Sequence, residues 1–245
     1  MIDGLFAAAS GMEAQQTQLD AVANDLANVS TPGYQSEELG FHDLLYSTVG
    51  PANGTTQATG AGAAADIVGR SQALGQMVQT GRSLDVAIQG EGYIEVRRPD
   101  GTIGLTRNGS LELDAKRQLT TQTGMLLAPP TTIPNGVPIE KVAIAPNGAV
   151  QIGGRTIGQI SLVTVPAPDR LLNAGDSTFQ VTAASGPLRK APAATVEQGY
   201  LEYSNVDVAT SMGEMIDAER GYQMDSKAIQ MQDQMMQIAN QIGPR

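Results

Sequence analysis

Few residues of this chain are of the types that carry enzyme chemistry. The sequence contains no cysteine and a single histidine, His42. Thiolate ligands, cysteine nucleophiles and disulfides are therefore excluded, and no site with two histidine ligands can form. Glu37, Glu38 and Asp43 are close enough in sequence to supply a carboxylate pair for glycoside hydrolysis. No G-x-S-x-G, H-E-x-x-H or phosphate-loop motif accompanies them, so we expect a solvated acidic stretch, no enzyme activity, no cofactor and no metal site.

The charge of the chain is unevenly distributed. The net charge is −10, which disfavours nucleic acid as a partner because phosphate binding needs the opposite sign. Residues 1–69 carry eight acidic residues and no lysine or arginine, whereas residues 70–199 are close to neutral. The apolar stretch at residues 2–9 lacks the preceding positive charge of a secretory signal, so we expect no cleaved signal peptide. No stretch approaches the roughly 20 apolar residues of a membrane span, and we expect no direct membrane insertion.

The first 29 residues have the apolar period of an amphipathic helix. Two heptad series define an a/d seam that is interrupted by one polar residue, Gln15. The series are Leu5, Met12, Leu19 and Leu26, and Ala8, Gln15, Val22 and Val29. Pro32 and Gly33 follow and predict the end of the helix.

The centre of the chain has the patterns of an antiparallel β-structure. Residues 35–80 show no sustained period, and the small polar stretch 50–65 predicts a loop. Within residues 84–195, apolar strands alternate with turn signals, and no helix-length segment interrupts them. Asp100-Gly101, Asn108-Gly109 and Asn147-Gly148 predict hairpins, and residues 157–165 predict one further strand.

A second helix is predicted over residues 204–242, with Ser204 and Asp207 in the spacing of a capping box. Its apolar residues form two stripes on roughly opposite faces. One stripe consists of Met224, Ala228, Met231, Met235, Ile238 and Ile242, and the other of Met215, Tyr222, Ile229 and Met236. Two apolar faces need two sets of neighbours. The first helix can cover one face, and the other either contacts further copies of the chain or is buried against the β-structure within one chain.

Three separate motifs resemble the bacterial flagellar rod and hook protein family. The first is residues 23–34, Ala-Asn-Asp-Leu-Ala-Asn-Val-Ser-Thr-Pro-Gly-Tyr, and the second is residues 199–207, Gly-Tyr-Leu-Glu-Tyr-Ser-Asn-Val-Asp. The third lies in the centre, at residues 84–93 and 106–109. The matches cover both ends and much of the middle, in order. The stretch Phe41–Tyr46 resembles the distal rod members, and the longer proximal rod proteins are the alternative.

This resemblance implies an α+β fold in which the terminal helices pack as a coiled-coil-like pair beside a central antiparallel all-β domain. It implies a helical axial domain for polymerisation at 1–34 and 200–245, a connecting segment at 35–80 and an outer β-rich domain at 81–199. The implied function is a structural subunit that assembles into a helical tube and transmits torque to the hook. A soluble carbohydrate-binding β-domain is an alternative from a different class.

The resemblance also implies partners and a location. The partners are other copies of the chain, other rod proteins, the hook protein, the surrounding ring proteins and the flagellar export apparatus. The location is the periplasm-spanning rod of the basal body. Combined with the helical periods, the resemblance predicts a subunit interface on the two terminal helices. The predicted interface residues are Leu5, Met12, Leu19, Val22, Asn24, Leu26, Asn28, Val29, Met215, Tyr222, Met224, Ile229, Met231, Met235, Met236 and Ile238.

Overall fold

The computed structural model describes residues 2–44, 47–49, 57–60 and 62–242. The chain divides into two compact units. One, which we call the helical unit, comprises Met1–Ala27, Glu37–Val68 and Asp207–Arg245. The other, the β unit, comprises Asn28–Ser36 and Gly69–Val206. Each unit therefore joins segments that are far apart in the sequence.

Two long helices dominate the helical unit. Helix α1 spans Ile2–Ala27 and helix α2 spans Val208–Ile242. Alanine is frequent in α1, and alanine has the highest intrinsic helix propensity. Four strands accompany them, β1 paired with β4 and β2 paired antiparallel with β3. These strands are β1 (Glu37–Asp43), β2 (Ser47–Val49), β3 (Gln57–Thr59) and β4 (Ala63–Arg70).

The ends of both helices differ slightly from the prediction. Helix α1 stops two residues early, and Asn28 begins a turn in which its carbonyl oxygen accepts from the Thr31 amide at 3.0 Å. The predicted capping role of Ser204 is wrong. Asp207 caps α2 instead, because its carboxylate directly precedes the first helical residue and its Oδ1 accepts from the Thr210 amide at 2.8 Å.

The β unit contains the remaining strands, and all of their pairings are antiparallel. Its largest sheet has the order β16-β17-β8-β7-β11-β10-β9, with β15 pairing both β7 and β18. Smaller sheets are formed by β12-β13-β14, β19-β6 and β20-β5. The strands are β5 (Met77–Gln79), β6 (Val86–Gln89), β7 (Tyr93–Arg97), β8 (Ile103–Thr106), β9 (Leu111–Leu113), β10 (Leu119–Thr121), β11 (Leu126–Leu127), β12 (Val142–Ile144), β13 (Ala149–Ile152), β14 (Arg155–Gln159), β15 (Leu162–Thr164), β16 (Leu172–Asn173), β17 (Thr178–Gln180), β18 (Arg189–Lys190), β19 (Thr195–Gln198) and β20 (Tyr200–Glu202).

The core of the β unit is almost entirely aliphatic, as expected from a chain with no tryptophan. Its largest cluster includes Val86, Ile94, Leu111, Leu127 and Val150, all nearly inaccessible to solvent. A second cluster surrounds the only aromatic pair in the described residues, Tyr93 and Phe179, whose rings meet edge to face at 5.7 Å. Burial of these side chains stabilises the sheet by roughly 25 cal/mol for each Å² of apolar surface removed from water.

Two of the three predicted hairpins are present. The turn at Asp100-Gly101 joins β7 to β8, and that at Asn147-Gly148 joins β12 to β13. The hairpin predicted at Asn108-Gly109 is wrong, because β8 pairs with β7 and β17 whereas β9 pairs with β10. Gly109 lies against the backbone of Val86 and accepts from its amide at 3.0 Å. Its missing side chain permits this close approach.

The single strand predicted over residues 157–165 is also wrong. Two strands, β14 and β15, occupy this range and belong to different sheets. Between them Ile160 is fully buried and donates its amide to the Gly148 carbonyl, whereas the Ser161 carbonyl accepts from Glu95. The chain therefore changes sheets at this point, which an unbroken apolar pattern does not reveal.

The predicted fold class is confirmed. The terminal helices pack together, and the centre of the chain is an antiparallel β-structure. Residues 35–80, which lack a sequence period, contain strands β1–β5. The loop predicted over 50–65 is wrong at 57–59 and 63–65, which belong to β3 and β4, and residues 50–56 and 61 lie outside the described residues. Neither helix, over its described length, is long and apolar enough to cross a membrane.

Candidate assembly surface

The contact between α1 and α2 is built on glycines. A Cβ atom on Gly4 would meet Gln232 at 3.4 Å, and one on Gly11 would meet Asp225 Oδ2 at 2.8 Å. A Cβ on Gly221 of α2 would lie 2.9 Å from Gln15. As the residue number increases along α1, the number of the contacted residue in α2 decreases, so the two helices are antiparallel. Gly4, Gly11 and Gly221 therefore each lie opposite a polar side chain of the other helix.

The residues predicted on α1 surround this contact face. Gly4 and Gly11 each precede a predicted seam residue, Leu5 and Met12, which therefore point about 100° round the helix from it. Gln15, the polar interruption of the predicted seam, contacts α2 directly. The remaining α1 residues of the predicted interface range from buried Val22 through half-buried Leu19 and Leu26 to exposed Asn24, and Asn28 and Val29 lie beyond the helix in the β unit.

The two apolar stripes of α2 have different environments. Met215, Ile229 and Met236 are half-buried, and Tyr222 is 39% exposed. The other stripe carries four strongly exposed side chains, which we call the α2 row. The α2 row consists of Met224 (67% exposed), Met231 (57%), Met235 (60%) and Ile238 (55%). These four lie within about 40° of Met224 around the helix axis. The side chains of the α2 row are therefore not covered by the rest of the helical unit.

Further apolar side chains of the helical unit are exposed outside the α2 row. Phe6 on α1 is 66% exposed, and Phe41, Ile67 and Val68 on β1 and β4 are each more than half exposed. Soluble monomers seldom expose large apolar side chains in such number on one small unit, and contiguous exposed apolar surface marks interaction sites. The helical unit thus has the surface character of a protein that binds another protein.

The β unit brings together residues of all three sequence motifs, in a cluster that we call the junction cluster. The Gly33 amide donates to the Glu202 carbonyl at 2.8 Å, and the Arg107 guanidinium donates to both Glu202 carboxylate oxygens at 2.8–3.2 Å. Arg70 Nη1 donates to the Gln35 carbonyl at 2.7 Å. Arg70, Arg107 and Glu202 are all buried. The loop after α1 is thereby fixed to the segment that precedes α2.

Sequence reasoning identified the motifs of the junction cluster but missed the ion pair within it. A signal was present, since Arg107 is the only basic residue of the central motif and Glu202 lies between the apolar and aromatic residues Leu201 and Tyr203. Buried Arg and Glu are rare unless paired. Above the Tyr93 ring, the Arg107 guanidinium lies 5.9 Å from the centroid. Burial raises the pKa of the Tyr93 hydroxyl, and the nearby positive charge of Arg107 opposes that rise.

The candidate catalytic carboxylates do not form an isolated acid pair. The Glu37 side chain accepts from Asn24 at 3.4 Å, and its amide donates to both Asp25 carboxylate oxygens at 3.2–3.3 Å. Glu38 and Asp43 are exposed. His42 is exposed too, with Nδ1 3.8 Å from Asp66. Among the described residues, no group of three or more acidic or histidine side chains is arranged to hold a metal ion.

Two pockets of the helical unit lie beside these groups. One, of about 470 Å³, is lined by Ser10, Glu13, Ala14, Thr17, Leu44 and residues 63–67. The other, of about 230 Å³, is lined by Gln18, Ala21, Val22, Asp25, Glu37, Leu39, Phe41 and Glu214. The β unit lacks the exposed aromatics on which sugar-binding sites usually rely, because Tyr34, Tyr93 and Phe179 are buried and Tyr200 and Tyr203 are half-buried.

Three family models match separate parts of the chain. A model described as "Flagella basal body rod protein" matches residues 5–35. Another, "Flagellar hook protein FlgE/F/G D1 domain", matches residues 87–152. The third, "Flagellar basal body rod FlgEFG protein C-terminal", matches residues 197–242. The first and third cover most of α1 and α2, and the second covers the core strands of the β unit.

Curated relatives are similar over almost the whole chain. The flagellar basal-body rod protein FlgG of Buchnera aphidicola subsp. Acyrthosiphon pisum is 35% identical, covering 99% of this chain and 100% of the relative. FlgG of Borreliella burgdorferi is 36% identical, with 99% of each covered. The flagellar basal-body rod protein FlgF of Escherichia coli is 32% identical, with 96% of each covered.

Proposed function

Because the chain belongs to the flagellar basal-body rod protein family, we propose that it is a structural subunit of the distal rod of the bacterial flagellum. Relatives named FlgG, the distal rod protein, support the distal position at 35–36% identity. FlgF, at 32% identity, represents the alternative of the longer proximal rod protein. In this proposal the residues of the chain have structural roles: they give the subunit its shape, hold neighbouring subunits together and transmit torque.

The exposed α2 row is the observation that carries this function. In the proposed polymer, each copy covers the α2 row of a neighbour, and the resulting contact joins different faces of identical subunits. Such heterologous contacts do not close on themselves and build a helical filament. Burying the exposed part of each methionine side chain contributes about 1 kcal/mol, so the row supplies several kcal/mol per contact.

The other proposed features of the subunit follow from this scheme. The helical axial domain at 1–34 and 200–245 forms the inner tube, and the outer β-rich domain at 81–199 surrounds it. The connecting segment proposed at 35–80 is divided between the units, since 37–68 belong to the helical unit and 69–80 to the β unit. The partners are other copies, other rod proteins, the hook protein, the surrounding rings and the export apparatus. The chain reaches the periplasm-spanning rod through that apparatus.

Charge opposes this self-association at low salt. The helical unit contains fourteen acidic residues against three basic ones, Arg220, Lys227 and Arg245. Neighbouring copies therefore repel each other until salt screens their charges over about 10 Å at 0.1 M ionic strength. We expect assembly of the purified protein to strengthen as salt rises.

The function is tested by self-association of the full chain at increasing concentration and salt. Sedimentation velocity and electron microscopy should detect elongated polymers of the wild type. A Met224→Gln/Met231→Gln/Met235→Gln variant should raise the critical concentration on the order of 100-fold, because several kcal/mol of apolar burial are lost. Met77→Gln, at an exposed methionine of β5, is the matched control and should assemble like the wild type. A wild type that stays monomeric at high concentration and high salt contradicts the proposal.

A further inference from the structure

The α2 row has a chemical property that its role in docking does not use. Three of its four members are methionines, and they follow each other at intervals of seven and four residues along one helical face. A thioether sulfur is readily oxidised by peroxides to a sulfoxide, which is polar. The row is therefore the part of α2 at which oxidation would change an apolar surface into a polar one.

We propose that Met224, Met231 and Met235 form an oxidation site for hydroperoxides, and that their sulfoxides prevent a second copy from docking on α2. In each step the sulfur lone pair attacks one peroxide oxygen, the O–O bond breaks, and an S–O bond forms. The sulfur is oxidised by two electrons, and with hydrogen peroxide the second oxygen leaves as water after taking up the proton. The docking half of this inference rests on the proposed function.

These three methionines are the most accessible ones among the described residues. Met224, Met231 and Met235 are each more than half exposed, whereas Met215 and Met236 on the α1 side of the same helix are half-buried. Met125, in the core of the β unit, is 4% exposed. Because peroxide must reach the sulfur, the rates should follow this order. Met212, which is 50% exposed elsewhere on α2, and Met77, which is 36% exposed on β5, should also react but more slowly.

The energetic consequence falls on docking and not on the folded monomer. In a free chain the sulfoxide oxygens of the row are hydrated, so the helix loses little. In a docked pair each sulfoxide would be buried, and a buried polar group without a hydrogen-bond partner is costly. Three such groups on one face act together. Copies that have already assembled cover these sulfurs, so the site is open only before assembly.

The inference is tested by exposing the full-length monomer at low salt to hydrogen peroxide and then raising the salt. Peptide mass mapping locates each addition of about 16 Da, and sedimentation measures assembly. We expect the three sulfurs to react about tenfold faster than Met125, and the critical concentration to rise at least tenfold. Treatment with methionine sulfoxide reductases should restore assembly.

A Met224→Leu/Met231→Leu/Met235→Leu variant is the matched control, because leucine keeps the apolar surface and cannot be oxidised. It should assemble before and after peroxide treatment. The inference is overturned if the three sulfurs react no faster than Met125, if the oxidised wild type assembles like the reduced one, or if peroxide disables the leucine variant equally. If the reduced wild type does not assemble, both the proposed function and the effect of oxidation on docking are refuted. The mass mapping would still show whether the three sulfurs are the preferred oxidation sites.

Discussion

The guanidinium of Arg107 and the carboxylate of Glu202 form an ion pair that is almost completely excluded from solvent. Arg107 Nη2 lies 2.8 Å from Glu202 Oε2, and Nε donates to the same carboxylate at 3.0–3.2 Å. The remaining donors of Arg107 reach the carbonyls of Gly92 and Gly90 at 2.8 and 3.3 Å. The charge of each partner is therefore satisfied by groups of the β unit alone.

Removing one member of this pair should destabilise the β unit strongly. Arg107→Met leaves the Glu202 carboxylate buried without its cation, which costs about 3–5 kcal/mol. Urea unfolding followed by circular dichroism measures the loss. Arg97→Ala, at an exposed arginine of β7, is the matched control and should change stability by less than about 0.5 kcal/mol. Equal effects of the two substitutions would contradict a buried, paired Arg107.

The partner of Arg107 could not be predicted from the sequence, although the elements around it could. The period of apolar residues is local, so it predicted both helices and the strands that flank the turns at Asp100-Gly101 and Asn147-Gly148 within a few residues. Glu202 lies 95 residues away from Arg107 in the chain. No local pattern relates two single charges at that distance, and only the folded β unit brings them together.

The helix contact shows a second limit of sequence reasoning. Heptad analysis groups two apolar series on α1, and Gln15, a member of one of them, does lie against Gly221 of α2. Gly4 and Gly11 also lie at the contact, because the absence of a side chain lets the partner helix approach. The predicted pairing of the helices was correct, whereas the glycines at their contact were not predicted, because an apolar period does not mark them.

Gly33 cannot be replaced without strain. It has φ +68°, a left-handed conformation that favours glycine, and a Cβ atom there would collide with the backbone of Arg107 and Asn108. We expect Gly33→Ala to lower the free energy of unfolding by about 2–4 kcal/mol. Gly101→Ala is the control, with φ +84° and open space around the added atom, and should cost about 1 kcal/mol. Similar losses for both variants would mean that the Arg107–Asn108 backbone yields to the added atom.

Gly213, in the first turns of α2, is a glycine whose replacement should stabilise the protein. It is exposed, and a Cβ atom there would meet nothing within 4 Å. Because glycine costs about 1 kcal/mol relative to alanine inside a helix, Gly213→Ala should stabilise α2 by about that amount. Hydrogen exchange of the α2 amides measures the gain. Unchanged or faster exchange would show that the position tolerates no side chain.

Asp207 makes the start of α2 sensitive to acid. Hydrogen bonds from the Thr210 amide and hydroxyl hold the pKa of its carboxyl below the usual value. A lowered pKa in the folded state contributes stability that is present above the unfolded value of 3.8 and is lost as the pH falls through the folded one. We expect the helicity at the start of α2 in the wild type to decrease when the pH is lowered beyond about 4.

Asp207→Asn separates the charge from the cap, because asparagine accepts the same hydrogen bond without titrating. The variant should retain α2 at neutral pH and lose the acid dependence of its first turn. Amide chemical shifts of residues 208–211, followed from pH 6 to pH 2, measure both effects. A wild-type profile as flat as that of the variant would contradict the role of the carboxylate.

Tyr93 should give the protein an alkaline limit of stability. Its buried hydroxyl lies 3.1 Å from Gln72 Oε1 and 3.3 Å from Gln35 Oε1, and burial raises its pKa above 10.0. The unfolded chain therefore releases this proton at a lower pH than the folded chain does. The neutral hydroxyl therefore makes its full contribution to the free energy of unfolding below about pH 10. This contribution is lost as the pH rises through the pKa of Tyr93 in the folded protein.

Tyr93→Phe removes the titrating group while keeping the ring against Phe179. At pH 8 the variant should be about 1 kcal/mol less stable, because Gln35 and Gln72 lose a hydrogen-bond donor. Between pH 10 and 11 the free energy of unfolding should fall faster for the wild type than for the variant, so the difference between the two proteins becomes smaller. Urea midpoints of both proteins across this range measure the difference, and tyrosinate absorbance at 295 nm should show a late titration step in the wild type that the variant lacks. A constant difference in stability, or identical late titration in the two proteins, would place the Tyr93 hydroxyl in water.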